Sequence, residues 1–407
     1  MDRLINTVQH YAWGSVDALP ALLGAHPTGR PQAELWMGAH PAAPSRLDRD
    51  RDGNQGRDRD RGRAGTPSLL DVIEADPAAH LGEATLRRHG VRLPFLLKLL
   101  AAAEPLSLQV HPDRAQAAAG YAREEAAGIP LTAPHRCYKD DQHKPELIVA
   151  LTSFQGLCGF RAPRESAALL EELGVAALGT HIAALREAPE EEALHDCVAA
   201  FLDAPPHTVE AVARSLARLA AEGGPRAEAW SAYAGIARRH PGDPGLLVAL
   251  LLNLVTLSPG QGLYLGPGVP HAYLHGLGVE IMASSDNVLR CGLTAKHIDV
   301  PELLRVVRFS ATPAHVLAPE ADPAGEEVYD TPADDFRLSR WVLPPGGPER
   351  RFDAAAPQIL LCTRGSALVR TATGELSLPQ GASAYLPAGE AGAVRGAATV
   401  FRATVNL

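Results

Sequence analysis

The chain has 407 residues, 46% of them hydrophobic and 21% charged, and this ordinary globular composition excludes a disordered or collagen-like chain. Its 38 basic and 47 acidic side chains give a net charge of -9, which excludes the global basic excess that binds nucleic acids or anionic membranes. No apolar run is long enough to span a bilayer, the N-terminus lacks a signal-peptide core, and the five cysteines show no paired spacing. We therefore predict a soluble, cytoplasmic protein of about two or three domains.

Residues 1–47 mix short strand-like pieces with turn residues, as in Tyr11-Ala-Trp-Gly14. The segment from Arg49 to Gly65 then alternates Arg with Asp, and Ala64 is its one apolar side chain. Such a segment cannot contribute to a core, so we predict a solvated loop. A nucleic-acid-binding arm is the alternative, but the interleaved aspartates cancel most of the positive charge.

From residue 93 the pattern changes to short apolar strands separated by Pro and Gly. These predicted strands are Leu93–Leu100, Leu106–Val110, Glu146–Leu151 and Phe154–Phe160. Residues 164–257 are instead rich in Ala and Leu, and apolar residues recur there at helical spacing, as at Val209, Val212, Leu216 and Leu219.

Strand-and-turn sequence resumes at residue 261, and a final β-rich segment runs from about residue 316 to residue 407. We therefore predict a mainly β fold with a helical insert. The predicted domains are 1–160 together with 258–312, the helical insert 161–257, and a C-terminal β domain 313–407.

Four polar residues on or beside the predicted strands are candidate metal ligands. Gln109 and His111 are two positions apart on one strand, so their side chains share a face. Glu146 opens an apolar strand, and His271 follows a turn rich in Gly and Pro. Two imidazoles, one carboxylate and one amide oxygen form a ligand set that suits zinc or a similar divalent ion. Each histidine taken alone is more often a structural or surface residue.

A second group of charged residues, Glu280, Asp286 and Arg290, follows closely after the strand of His271. An ordinary ion-pair network on a loop is the alternative to a functional role. Lys98 interrupts the apolar strand Leu93–Leu100, and a lysine that extends its amine to solvent would explain it without any function.

Seven motifs follow one another along the chain as far as Phe309. They are Tyr11-Ala-Trp-Gly14, Glu34-Leu-Trp-Met-Gly-Ala-His-Pro41, Leu93-Pro-Phe-Leu-Leu-Lys98, Leu106-Ser-Leu-Gln-Val-His-Pro112, His143-Lys-Pro-Glu146, Pro270-His-Ala-Tyr273 and Ser285-Asp-Asn-Val-Leu-Arg290. In content and order they resemble the type I mannose-6-phosphate isomerases, also called phosphomannose isomerases. A set of ordered motifs is far more specific than any one of them.

The resemblance implies a zinc-dependent enzyme, with one zinc ion per chain, built on cupin-like jelly-roll domains with an inserted helical domain. It implies a monomer in mannose metabolism, on the route to GDP-mannose, that binds no nucleic acid and no membrane. The metal ligands that carry over are Gln109, His111, Glu146 and His271. The active-site residues that carry over are Lys98, His143, Lys144, Glu280, Asp286 and Arg290.

Three features depart from the family pattern. The Arg/Asp segment 49–65 resembles an insertion, so its role is not implied by the resemblance. Ser284 stands where the family usually has Asn, which affects the expected contacts around Asp286. The C-terminal β domain has no histidine after His315, so we expect no second metal site of this type there.

The implied reaction interconverts mannose 6-phosphate and fructose 6-phosphate through an enediol. It removes a proton from C2 and returns one to C1, and therefore needs a base and stabilisation of the developing oxyanion. The candidates for proton transfer are His143, Lys144 and Asp286. Arg290 offers donors to an enediolate or a phosphate, and Lys98 with Ser107 is predicted to bind phosphate.

Two alternatives stay open on the sequence alone. A non-catalytic cupin that binds sugar phosphates would retain the pocket, although a pure binding protein has no need of Lys144 and Arg290 beside a full ligand set. A cupin isomerase for another phosphosugar fits every motif equally well.

The sequence generates one prediction about the segment 49–65. Because it offers almost nothing apolar to bury, replacing it with a short Gly/Ser linker should leave the melting temperature and the Michaelis constant close to wild-type values. Thermal unfolding and steady-state kinetics check this. Weaker substrate binding by the shortened chain would show that the segment belongs to the site.

Overall fold

Strands occupy both ends of the chain in this computed structural model, which describes residues 1–48 and 66–407. The strands before the helical region are β1 (Asp2–Ile5), β2 (Thr7–Gln9), β3 (Glu34–Met37), β4 (Arg46–Asp48), β5 (Phe95–Ala102), β6 (Leu108–Val110), β7 (Glu146–Ala150) and β8 (Phe154–Phe160). The later strands are β9 (Leu252–Leu257), β10 (Gly262–Leu265), β11 (His271–Ala283), β12 (Leu289–Gly292), β13 (Val316–Leu317), β14 (Glu326–Tyr329), β15 (Arg337–Leu343), β16 (Arg350–Phe352), β17 (Gln358–Thr371), β18 (Gly374–Pro379), β19 (Ser383–Leu386) and β20 (Gly392–Thr404). The predicted solvated loop at 49–65 lies outside the described residues.

The helices lie mostly between β8 and β9. They are α1 (Ala18–Leu22), α2 (Leu69–Ala75), α3 (Pro77–His89), α4 (Arg114–Ala126), α5 (Pro163–Glu172), α6 (Gly179–Glu187), α7 (Glu190–Leu202), α8 (Pro206–Glu222), α9 (Ala227–Arg239), α10 (Gly245–Ala249) and α11 (Val300–Val306), with a 3-10 helix at Ala176–Leu178. The predicted fold class, mainly β with a helical insert, is confirmed.

The strands β2, β3 and β5–β13 form two sheets that share the long strand β11, and we call this unit the central sandwich. The second half of β11 pairs with β5 and β7, and places Glu280 opposite Lys98. Its first half pairs instead with β6 and β8, and places His271 opposite Gln109. The register shifts after Tyr273, where β11 passes from one sheet to the other. Residues of both sheets therefore surround one interior.

Strand β5 separates two cores because alternate residues of a strand face opposite sides. Leu97 and Leu99 pack into the core that the central sandwich shares with the C-terminal strands. Leu100, on the other face, packs inside the sandwich. Lys98 shares that inner face, and its side chain is only 8% exposed. The alternative that Lys98 extends to solvent is therefore wrong.

A further sheet, which we call the C-terminal sheet, runs in the order β14-β15-β20-β17-β19-β1-β4, with β16 and β18 paired to its long strands. The predicted domain boundaries need correction here. Strands β1 and β4 were assigned to the first domain, but Asp2 pairs with Tyr385 of β19. Conversely, β9 and β13 extend the central sandwich by pairing with β8 and β10. Short strands carry no local signal that names their partner, so the sequence pattern could not place them.

Helices α5–α10 cover the outer face of the sheet that contains β6, β8 and β12. Val209, Val212 and Leu216 of α8 are buried in that shared core, as the helical spacing predicted. Phe160 of β8 and Leu289 of β12 belong to the same core. Among the described residues, none of the helices is both long and apolar enough to cross a membrane.

At Gly292 of β12 the backbone of the central sandwich passes close to helix α10, and a substitution tests this contact. Its φ is +130°, and a Cβ added there would lie 2.4 Å from Cα of Gly245 in α10. We expect Gly292→Ala to lower the free energy of unfolding by about 1–3 kcal/mol, the usual cost of overpacking, as measured by denaturant unfolding. The control is Gly179→Ala, whose added Cβ meets no atom within 4 Å. Equal stability of both variants would contradict this packing.

Candidate active site

Three of the predicted metal ligands meet inside the central sandwich. His111 follows β6, whereas Glu146 and His271 begin β7 and β11, and all three side chains are buried. Glu146 Oε1 lies 3.3 Å from His111 Nε2, and Glu146 Oε2 lies 3.5 Å from His271 Nε2. One ligand atom from each residue lies within 4.8 Å of the other two. The pairing of the strands thus brings together residues that are distant in sequence.

The backbone fixes which nitrogen each imidazole presents to this cluster. His111 Nδ1 donates to the carbonyl oxygen of Asn287 at 2.8 Å, and His271 Nδ1 donates to that of Val269 at 2.9 Å. Because a carbonyl oxygen can only accept, the proton of each neutral ring is on Nδ1 and the lone pair is on Nε2. Burial lowers the pKa of His111 to about 4, so this ring is neutral at pH 7.

The cluster therefore consists of acceptors that face one another. His111 Nε2 and Glu146 Oε2 are buried and have no hydrogen-bond partner among the described residues. Burial by itself raises the pKa of Glu146, but the Lys144 ammonium, 3.2 Å from Oε1, lowers it well below its usual range. Buried lone pairs and a carboxylate oxygen without a donor are costly unless a cation lies between them. This set of ligand atoms thus fits a divalent metal ion.

Gln109 contributes the fourth predicted ligand group. It lies directly opposite His271 across the β6–β11 pair, and its amide nitrogen is 3.4 Å from His271 Nε2. The structure therefore brings all four predicted metal ligands together.

Lys98 and Glu280 form a buried ion pair beside the cluster. Lys98 Nζ lies 3.2 Å from Glu280 Oε2 and 3.6 Å from Glu34 Oε1. Burial lowers the pKa of Lys98, but the two carboxylates outweigh it and raise that pKa above its ordinary value. Tyr273 donates its hydroxyl to Glu280 Oε1 at 2.9 Å, and Trp36 Nε1 donates to Glu34 at 2.6 Å. Because Lys98 is already neutralised by two carboxylates, the geometry does not support its predicted role in phosphate binding.

A cleft of about 470 Å³ opens above these residues. Arg290 of β12 lies on its wall, opposite Gln109 in the strand register, and Arg290 Nη1 donates to Ser107 Oγ at 2.6 Å. Lys296 lines the same cleft, and its pKa is lowered chiefly because the Arg290 guanidinium lies nearby. Two cations that repel each other across one cleft form a binding place for an anion.

Asp286 lies at the cleft mouth, and its side chain is 52% exposed. Asp286 Oδ2 is 3.3 Å from His40 Nε2, and this contact lowers the pKa of Asp286. The carboxylate is therefore ionised at pH 7 and accessible to a ligand.

His143 is the predicted site residue that the structure places elsewhere. Its Nε2 donates to Asp335 Oδ2 at 2.6 Å, in the contact with the C-terminal sheet, and its side chain is not on the cleft wall. The proposed proton transfer by His143 is therefore not supported by this geometry. The neighbouring Lys144 does line the cleft.

The sequence reasoning missed several residues of the cleft. They are Tyr11, Trp13, Glu34, Trp36, Tyr273 and Lys296, to which His40 is added through its contact with Asp286. A signal existed for Glu34, because a charged residue begins the otherwise apolar and wholly buried strand β3. Lys296 follows β12 in an irregular segment that has no periodicity from which to infer its direction.

The chain is similar to known proteins over most of its length. Residues 1–163 match the family described as phosphomannose isomerase type I, catalytic domain. The mannose-6-phosphate isomerase of Escherichia coli K12 is 42% identical over 395 residues, which cover 96% of this chain and 95% of that protein. The human mannose-6-phosphate isomerase is 31% identical and covers 91% of this chain and 89% of its own.

Solved structures are similar over their full length. A crystal structure of mannose 6-phosphate isomerase bound with zinc and yttrium superposes with a TM-score of 0.88 at 39% identity, with 100% of both chains covered. A phosphomannose isomerase variant from Salmonella typhimurium gives a TM-score of 0.89 with the same identity and coverage. By sequence, by fold and by the ligand set that its strands bring together, the chain belongs to the type I mannose-6-phosphate isomerase family.

Proposed function

We propose that this protein is a zinc-dependent aldose–ketose isomerase that interconverts mannose 6-phosphate and fructose 6-phosphate. The observation that carries the proposal is the buried set of acceptor atoms on His111, Glu146 and His271, which lies beside a cleft lined with cations. Membership of the isomerase family and the likeness to a zinc-bound structure support it.

His111, Glu146 and His271 would hold the zinc ion. The Gln109 amide, whose nitrogen lies 3.4 Å from His271 Nε2, would turn over to present its oxygen as the fourth ligand. Zinc bound in such a set supplies a Lewis acid for substrate oxygens. The protein contributes the arrangement, because its backbone carbonyls already direct both Nε2 lone pairs toward Glu146.

Arg290 and Lys296 are assigned to the anionic parts of the substrate. Arg290 lies opposite Gln109 in the strand register, so its guanidinium is close to the ligand set and can donate to the developing enediolate. Lys296 lies farther along the chain after β12 and is assigned to the phosphate. Ser107 holds the Arg290 guanidinium in place through its hydroxyl.

Proton transfer is assigned to two groups that line the cleft. Asp286, ionised and paired with His40, accepts and returns the hydroxyl proton during ring opening. Lys144, as the neutral amine, takes the proton from C2 and returns it to C1 of the open chain, and its Nζ lies 3.2 Å from Glu146 Oε1. Glu280 keeps the Lys98 ammonium and the Tyr273 hydroxyl in fixed positions on the cleft wall.

The wider setting is also part of the proposal. We infer that the enzyme acts as a cytoplasmic monomer and that its product supplies GDP-mannose biosynthesis. We also assign catalysis to the central sandwich, with the helices α5–α10 and the C-terminal sheet as separate domains on either side.

A coupled assay tests the activity and its metal dependence together. We expect about one zinc ion per chain and turnover of mannose 6-phosphate that a chelator abolishes and added zinc restores. A panel of other aldose and ketose 6-phosphates shows the substrate range. Faster turnover of another phosphosugar would reassign the substrate, and turnover by metal-free protein would contradict the metal's role.

A matched pair of variants on β11 localises the metal in the same experiment. His271→Ala should lose both zinc and activity, because it removes one buried ligand, while the fold stays largely intact by circular dichroism. His275→Ala is the control, since His275 is exposed on the same strand. Full zinc occupancy in the His271→Ala protein would remove His271 from the ligand set.

The assignments of Arg290 and Lys296 predict opposite kinetic effects. Arg290→Lys should lower kcat roughly a hundredfold, the scale of losing one preorganised oxyanion donor, with little change in zinc content. Lys296→Met should instead raise KM at near-normal kcat, as expected for phosphate binding alone. Steady-state kinetics of both variants decide this. A raised KM with normal kcat for Arg290→Lys would move Arg290 to the phosphate.

A further inference from the structure

A loop of the C-terminal sheet reaches the central sandwich behind the cleft. Loop 330–336, between β14 and β15, is held there by Phe336, which is fully buried in the core that the two units share. The loop also carries Asp335, which is only 1% exposed. A carboxylate buried to this extent needs partners that compensate its charge.

The partners of Asp335 come from the central sandwich. His143 Nε2 donates to Asp335 Oδ2 at 2.6 Å, and Arg114 Nη2 lies 3.2 Å from the same oxygen. The adjacent Asp334 binds arginines instead, with Arg88 at 3.0 Å and Arg114 at 2.5 Å. Two neighbouring aspartates thus share one interface, but only Asp335 accepts a hydrogen bond from His143.

A metal ion is the alternative explanation for this grouping, because ligand atoms of His143, Asp334 and Asp335 lie within 4.8 Å of one another. The charges argue against it. Both oxygens of Asp334 accept from guanidinium groups, and Arg114 also faces Asp335. Two arginines therefore balance two carboxylates, and they would repel a divalent ion.

The contact matters because of the chain segment that it holds. The carbonyl of Gln142 accepts from Asn287 Nδ2, and the carbonyl of Pro145 accepts from the backbone of Ala283. Between these two anchors, neither His143 nor Lys144 makes a backbone hydrogen bond to any described residue. The hydrogen bond from His143 to Asp335 therefore holds the chain between the anchors at Gln142 and Pro145.

The hydrogen bond between His143 and Asp335 affects the position of the neighbouring residue, Lys144. The side chains of the two neighbouring residues reach different parts of the molecule. His143 accordingly faces the C-terminal sheet, whereas Lys144 lines the cleft and reaches Glu146. Because the two residues are adjacent in the chain, the contact that holds the His143 side chain also sets the direction of the Lys144 side chain.

We propose that Asp335 is a positioning residue for the isomerase reaction, because it anchors His143 and thereby directs Lys144 toward the substrate. The C-terminal sheet thus completes the active site without touching the substrate. This inference rests on the proposed function, in which Lys144 transfers the proton.

The test compares the adjacent aspartates in the zinc-loaded, full-length protein. Asp335→Ala should lower kcat about tenfold or more, the usual effect of losing a supporting partner, while KM stays within about twofold and zinc content is unchanged. Asp334→Ala loses contacts at the same interface and should lower the melting temperature, but its kcat should stay near that of wild type. Asp335→Asn keeps an acceptor oxygen in place and should recover most of the turnover.

A double variant excludes a merely structural effect. If Asp335 acts through His143, the Asp335→Ala change should lower kcat no further in a His143→Ala background. Equal kcat losses in the two aspartate variants, additive losses in the double variant, or loss of bound metal from Asp335→Ala would each overturn the inference. Wild-type protein without isomerase activity would refute the proposed function instead.

Discussion

Buried lone pairs that face one another without a donor between them are the constraint on which the rest of this structure depends. His111 Nε2 and Glu146 Oε2 are buried without a hydrogen-bond partner among the described residues, and Glu146 Oε2 lies 3.5 Å from His271 Nε2. Such an arrangement is unfavourable by itself, so the strands must hold it in place. A cation that binds this cluster but not the unfolded chain raises the free energy of unfolding.

The strands can hold the cluster because one face of a strand packs into an apolar core while the other face positions polar side chains. On β5, Leu97 and Leu99 face the core shared with the C-terminal sheet, whereas Lys98 faces the cleft. A shift of one residue in the pairing of β5 would exchange these faces, burying the lysine among leucines and removing it from Glu280. The apolar core therefore specifies the position of the polar groups as strictly as it stabilises the fold.

The four candidate metal ligands were predictable as a group because metal chemistry restricts the choice of side chains and strand alternation restricts their direction. Contacts between side chains that are distant in sequence were harder to predict from the sequence. Lys98 was noticed as an anomaly, but Glu34 becomes its partner only when β3 pairs with β5. His143 was assigned to the cleft because of its neighbours in sequence, yet an irregular segment has no periodicity that reveals which side chain points inward.

The pairing of β1 with β19 has a consequence for how the chain folds during synthesis. Asn6, just after β1, donates to Ser383, a residue 377 positions later. Strand β1 therefore reaches its place only after β19 has been synthesised, and contacts of this separation slow folding. The C-terminal sheet thus combines β1 and β4 with strands β14–β20, so neither set of strands completes this sheet without the other. The native pairing of β1 therefore requires the synthesis of β19, which follows that of the central sandwich.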